Sequence, residues 1–167
     1  MINDADYWIQ ALDLQEHPEG GHFKEVYRSN ELINEEDLPE RFKGKRCFST
    51  SVYYLLNGNE FSSFHKIKSD ELWHFYAGTA LTLYVIDSGG QLQKIKLGKD
   101  LANSESFQTT VQAGNWFAAR VNDPESYALV GCTVAPGFDF DDFELASRKN
   151  LIATYPQHKN IIESLTK

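Results

Sequence analysis

Gly58-Asn59-Glu60-Phe61-Ser62-Ser63-Phe64-His65-Lys66-Ile67-Lys68-Ser69-Asp70-Glu71-Leu72-Trp73-His74-Phe75-Tyr76-Ala77-Gly78 is the stretch that decides the fold. It is rich in aromatic residues, has glycine at both ends, and sets a histidine six positions before a glutamate. Phe61 to Ile67 and Glu71 to Ala77 read as two short strands. Side chains alternate along a strand, so Glu71, Trp73 and Phe75 share one face while Leu72, His74 and Tyr76 share the other. Phe61, Ser63, His65 and Ile67 likewise share a face. If both faces look inward, His65 and Ser63 enter the same hollow as Glu71, and His74 cannot join them without a bulge.

The texture continues on both sides. Asn57-Gly58 is a strong hairpin signal, and it predicts that Cys47 to Leu56 pairs with Phe61 to Ile67. Downstream, Leu81 to Ile86, Gln91 to Leu97, Phe107 to Val111, Trp116 to Val121 and Tyr127 to Val134 are strand-like, punctuated by turns such as Asp87-Ser88-Gly89-Gly90. Upstream, His22 to Arg28 alternates as a half-buried strand. The polar stretch Asn30 to Lys45 reads as a surface loop. Asp4 can cap a short helix carrying Trp8, Ile9 and Leu12, and two helical patterns follow Pro136-Gly137 and the acidic aromatic run Phe138 to Phe143. Many short strands with no helix between them argue an all-β antiparallel sandwich or barrel with helical ends. A length of 167 residues suits one domain spanning 1–167.

Composition excludes several classes of function. Lysine and arginine number 16 against 24 acidic residues, a net charge of −8, so a nucleic-acid backbone would be repelled. No apolar run approaches the roughly 20 residues a bilayer requires, and the acidic start lacks a secretory pattern, so a cytoplasmic, membrane-free protein is expected. Cys47 and Cys132 lie in apolar stretches as reduced buried thiols would. Glu19-Gly20-Gly21-His22 lacks the lysine and helix of a phosphate loop, and no nucleophile elbow occurs.

The spacing Gly58, His65, Glu71, Gly78 resembles the first motif of the cupin superfamily, in which two histidines and a glutamate hold a metal inside a jelly roll. Here Ile67 stands where the second histidine would be. Gln112-Ala113-Gly114-Asn115-Trp116-Phe117 resembles the second motif, with Phe117 in place of its histidine. Further strings resemble one branch, the fifth cupin family: His17-Pro18-Glu19-Gly20-Gly21, Tyr27-Arg28-Ser29, Ser49 to Leu56, Phe64-His65-Lys66, Asp70-Glu71-Leu72-Trp73-His74 and Val130 to Phe138. The resemblance implies a double-stranded β-helix similar to that of the RmlC-like deoxysugar epimerases, commonly a homodimer, with a pocket at the barrel centre and no settled activity.

His65 and Glu71 are therefore the candidate catalytic pair, with Ser63, Trp73, Phe75 and Phe117 as candidate ligand-binding residues. A histidine beside a carboxylate can remove a proton α to a carbonyl, as sugar epimerisation requires, and Tyr53, Tyr54 and Tyr84 are candidate donors for the opposite face. The same pair offers two metal ligands, enough for a loosely held divalent ion, which defines the alternative of a metal-dependent oxygenase or isomerase. The third expectation is a non-catalytic binding module, since a buried His–Glu pair also arises simply by satisfying two polar groups. His17, His22 and His158 are expected at the surface, with His17 shaping a turn before Pro18.

Overall fold

The computed structural model describes residues 4–167, leaving Met1 to Asn3 and the reading of the extreme N-terminus outside it. In chain order the elements are α1 (Ala5–Ala11), β1 (Gln15–Glu16), β2 (His22–Arg28), β3 (Leu32–Ile33), β4 (Arg46–Cys47), β5 (Thr50–Asn57), β6 (Phe61–Lys66), β7 (Asp70–Gly78), β8 (Leu81–Ile86), β9 (Leu92–Leu97), β10 (Glu105–Ser106), β11 (Gln108–Val111), β12 (Trp116–Val121), β13 (Tyr127–Ala135), β14 (Glu144–Leu145), α2 (Arg148–Thr154) and α3 (Lys159–Ser164). One sheet has the order β1-β2-β5-β13-β7-β11 and the other β10-β9-β8-β12-β6-β14. They pack face to face as the jelly roll, and β3 with β4 forms a small separate ribbon. No helix is long and apolar enough to cross a membrane.

The core between the sheets draws Leu56, Ala128 and Val130 from the first sheet against Leu83, Val85 and Phe117 from the second. Each large side chain so buried contributes about 1.5–3 kcal/mol. Outside the second sheet, α2 and α3 bring Leu151, Ile162 and Leu165 onto Phe64, Ile86 and Ala118. Outside the first, α1 covers only one end, where Leu55 and Leu129 are buried beneath Ala5 and Leu14. The Asp4 carboxylate accepts from the Tyr7 N–H at 2.9 Å, the cap expected from sequence.

Two local readings differ. β5 and β6 belong to opposite sheets, so Asn57-Gly58 makes a corner rather than a hairpin. The reason is packing: a Cβ on Gly58 would lie 2.2 Å from the Pro124 carbonyl oxygen, a close approach only glycine permits. The Asn30 to Lys45 stretch is largely exposed, yet it buries Phe42 to 1% and leads into Arg46, which is 4% exposed.

Strand parity is interrupted three times, and each interruption bears on the interior. In β6, Phe117 pairs His65 but Ala119 pairs Ser62, so the strand carries one extra residue between them. In β2 the register slips between Glu25 and Tyr27, and in β7 between Phe75 and Ala77. A bulge reverses the side on which later residues emerge.

Candidate active site

A cavity of about 290 Å³ opens at one end of the barrel. Its floor is the inner face of the first sheet, where two cross-strand rows run in register: Glu25, Val52, Cys132 and Trp73, then Arg28, Thr50, Val134 and Glu71. The β2 bulge is what turns both Glu25 and Arg28 inward. The opposite wall is His65 and Ile67, the near side is His17 and Glu19 from the loop after β1, and the rim is Phe138, Asp139, Phe140 and Phe143.

His65 and Glu71 thus line one cavity, but the acid in contact with His65 is Glu19. His65 Nε2 lies 3.2 Å from Glu19 Oε2, with side chains 3% and 8% exposed. The other Glu19 oxygen accepts from the Ser62 hydroxyl at 2.8 Å. Ser62 and His65 would point to opposite faces of a regular strand. The β6 bulge brings both onto Glu19, and the Glu19 backbone is tied to the bulge by the Ser63 N–H donating to its carbonyl at 2.9 Å.

This geometry fixes a proton. His65 Nδ1 sits 2.7 Å from the Ser63 carbonyl, which can only accept, so Nδ1 carries hydrogen. Nε2 then faces a carboxyl oxygen, and the contact is favourable only with a proton on that line, held by one partner or the other. The ring is braced by Phe117, centroids 4.1 Å apart, and by Phe143 at 5.4 Å.

His17 is drawn in on the other side of Glu19, contrary to its expected exposure: its Nδ1 is 3.4 Å from Glu19 Oε2 and its side chain is 11% exposed. The Glu19 N–H donates to the same Nδ1 at 3.3 Å, placing the ring hydrogen on Nε2. Burial lowers the His17 pKa, against the opposing pull of Glu19. His22 and His158 are half-buried and lie away from the cavity.

Glu71 differs from Glu19. Among the described residues no cation pairs with it, and burial first, then the charge of Glu19, pushes its carboxyl up to about 8. The Trp73 indole and the Cys132 thiol beside it pull in the other direction, yet Trp73 Nε1 is buried without closing a hydrogen bond. Cys132 is pushed well up by burial and by Glu71, leaving an inert thiol.

Of the four residues expected to bind ligand, Trp73 lines the cavity. Ser63 is spent in the β6 bulge, its hydroxyl buried without a partner. Phe75 continues the inward face of β7 but packs into the core below, and Phe117 stands behind His65. Among the tyrosines, Tyr54 reaches the cavity, but its hydroxyl donates to the Gly20 carbonyl at 2.8 Å and burial holds its proton firmly. Tyr53 packs under α1, and Tyr84 lies on the helix side of the second sheet.

The rim is held by a buried ion pair. Arg46 Nε and Nη2 donate to the two Asp142 oxygens at 2.7 and 2.8 Å, and Lys68 adds a contact at 3.2 Å. This fixes the Phe140–Asp142 turn and so the aromatic rings on either side of it.

Comparison with known proteins agrees with this architecture. The family described as "Cupin superfamily (DUF985)" matches residues 6–146. The chain belongs to this cupin family. It is 31% identical over 143 residues to the uncharacterized protein YML079W of Saccharomyces cerevisiae, covering 80% of this chain and 71% of that one. Solved structures include protein SO0799 from Shewanella oneidensis, with TM-score 0.90, 40% identity and 99% of both chains covered. A hypothetical protein from Leishmania major superposes with TM-score 0.89 at 34% identity, over 98% of this cupin and 99% of that chain. The oxalate decarboxylase of Bacillus subtilis shares the fold alone, at TM-score 0.56 and 14% identity, over 92% of this cupin and 37% of that chain.

The metal centre that cupin motifs imply does not fit these side chains. Ile67 and Phe117 occupy two of its ligand positions, and His65 has both nitrogens engaged, by Ser63 and Glu19. His17, Glu19 and His65 are close, but the carboxyl oxygen fills the space between the rings where an ion would sit. Among the described residues no three His, Cys, Asp or Glu side chains are arranged to hold a metal ion.

Proposed function

We propose that this cupin binds a small carbonyl metabolite in the barrel and moves a proton at the carbon next to the carbonyl, as an isomerase or epimerase does. The observation that carries the reading is the 3.2 Å contact between His65 Nε2 and Glu19 Oε2 at the wall of an open cavity. The pair acts as one acid–base unit: Glu19 faces the ligand, and His65, locked by the Ser63 carbonyl and Phe117, supplies or absorbs the charge behind it. In this reading His65 stays in the acid–base pair but acts from behind Glu19, which replaces Glu71 as its partner, and Glu71 with Trp73 holds the ligand from the opposite wall.

The test is solvent-deuterium incorporation into dihydroxyacetone, D-fructose and fructosamine, followed by NMR. The native protein exchanges at least one of them, and His65→Asn or Glu19→Gln slows the exchange by roughly a hundredfold or more. No exchange on any of the three ends the catalytic reading, and retention of ligand without exchange reduces the protein to a binding module.

A homodimer is part of the proposal. The end of the first sheet not covered by α1 exposes Val26, Tyr27 and Tyr76 at 47%, 54% and 51%, a face suited to a second copy. Sedimentation of the native protein against Tyr76→Lys tests it: native dimers should become monomers.

A further inference from the structure

We infer that the ligand of this cavity carries an organic ammonium group, seated against the Glu71 carboxylate and the surrounding aromatic rings. The inference takes the cavity as the ligand site, as the preceding proposal does, and adds the chemical class of what enters it.

Charge on the cavity wall is lopsided. Glu19, Glu25, Glu71 and Asp139 line it, and no lysine does. The single arginine is already paired: Arg28 Nε and Nη2 hold both Glu25 oxygens at 2.9 and 2.8 Å, Nη2 also donates to the Phe138 carbonyl at 3.1 Å, and Nη1 faces Cys47 Sγ at 3.5 Å. It also stands three strands from Glu71 in the same cross-strand row, roughly 14 Å along the sheet. Glu19 has Ser62 and His65. Asp139 lies at the rim, where its Oδ1 accepts from the Asp141 N–H at 2.9 Å, and Glu71 is left among the described residues as the inner acid without a counter-charge, beside the unpartnered Trp73 N–H.

An anionic ligand, phosphorylated or carboxylated, would find the one lining arginine already neutralised by Glu25 and would meet uncompensated acid. A neutral ligand would supply no charge to set against an ionised Glu71. An ammonium ion supplies the missing charge, and the rings of Phe23, Tyr54, Trp73, Phe138, Phe140 and Phe143 give it a lining that attracts cations through its π-faces.

Three probes of nearly one shape isolate the charge: choline, its neutral isostere neohexanol, in which carbon replaces nitrogen, and the tert-butylacetate anion. Calorimetry on the native protein at pH 8 should show choline binding about tenfold or more tighter than neohexanol, with the anion weakest. The choline preference disappears in Glu71→Gln, while neohexanol binds that variant unchanged. Choline should also release protons from the native protein at pH 7 and not from the variant. The other titratable or charged groups around Glu71 are Glu19 and His17 from the loop, Tyr54 from β5, His65 from β6, Cys132 from β13, Arg28 and Glu25 from β2 and Asp139 from the rim. All of these persist in Glu71→Gln, so the variant isolates the one carboxyl. Equal binding of choline and neohexanol, tighter binding of the anion, no choline binding, or a preference that survives in Glu71→Gln overturns the inference. Proton exchange on ketoses is independent of all four outcomes, so either proposal can fail alone.

Discussion

Replacing Glu71 by glutamine should make this cupin more stable at alkaline pH and leave it nearly unchanged at pH 5. In the folded chain the Glu71 carboxyl is pushed from 4.5 to about 8, by burial first and by Glu19 second. A carboxyl with a raised folded-state pKa binds its proton more tightly in the native than in the unfolded chain. Native stability therefore falls as pH rises from 4.5 to about 8, and the penalty is complete above that window. Below it both states are protonated and the penalty vanishes. The ideal linkage over this interval is roughly 5 kcal/mol. Water in an open cavity screens part of it, leaving on the order of 2–4 kcal/mol for glutamine to recover at pH 9. Urea unfolding of both proteins at pH 5, 7 and 9, followed by tryptophan fluorescence, gives the difference directly. A difference that stays constant with pH, or a glutamine variant less stable than the parent at pH 9, refutes the picture of Glu71 as an uncompensated acid.

Other consequences follow from the rim and the loop. Arg46→Met leaves the buried Asp142 with Lys68 alone and should cost about 3–5 kcal/mol, most of it recovered in the double variant Arg46→Met/Asp142→Leu. Failure of the second change to rescue the first would mean that Arg46 acts instead through the Lys43, Gly44 and Lys45 carbonyls, to which its Nη1 donates at 2.9, 3.2 and 2.9 Å. Burial raises the Asp142 carboxyl, but Arg46 and Lys68 outweigh it and the net value is lowered. The pair's stabilisation is therefore present at neutral pH and lost as pH falls through that lowered value, an acid dependence that Arg46→Met should flatten. Gly20 has φ +118°, and a Cβ there would lie 2.2 Å from the Phe61 carbonyl oxygen, so Gly20→Ala should cost more than about 2 kcal/mol and displace Glu19. Intact stability in that variant would remove the argument that the loop is held by close backbone contact.

Strand positions from Leu81 to Val134 were legible because their signal is local: alternating apolar residues closed by turns such as Asp87 to Gly90. The inward face of Glu71 and Trp73 was legible for the same reason, since β7 is regular until Phe75. Asn57-Gly58 misled because the dipeptide is equally at home at a corner between sheets, and only the distant Pro124 carbonyl decides which is built. His17 and Glu19 were visible only as part of a family-like string. Nothing in a polar loop announces that its carboxylate will be buried against a histidine 46 positions away. Arg46 and Asp142 pose the same difficulty over 96 positions, since the pairing of long-range charges has no periodic trace.

The sharpest failure of sequence reasoning, Ser63 placed beside His65, comes from counting by twos across a bulge. With the extra residue in β6, the inward pair becomes Ser62 and His65 and the outward pair becomes Phe61 and Phe64, each three apart. β2 repeats the device with Glu25 and Arg28. A spacing of three would be read from sequence as helical, yet here it lets a strand give two polar side chains to one cavity. In β6 the same slip sends two phenylalanines to the helices outside. A regular β6 would have to choose: with His65 inward, Ser62 would face the apolar helix layer and Glu19 would lose the hydroxyl that holds its second oxygen. The bulge resolves that conflict, and it makes the His65–Glu19 contact a property of backbone register as much as of the two residues themselves. Substitutions that regularise β6 should therefore disrupt the acid–base pair even where both side chains are retained.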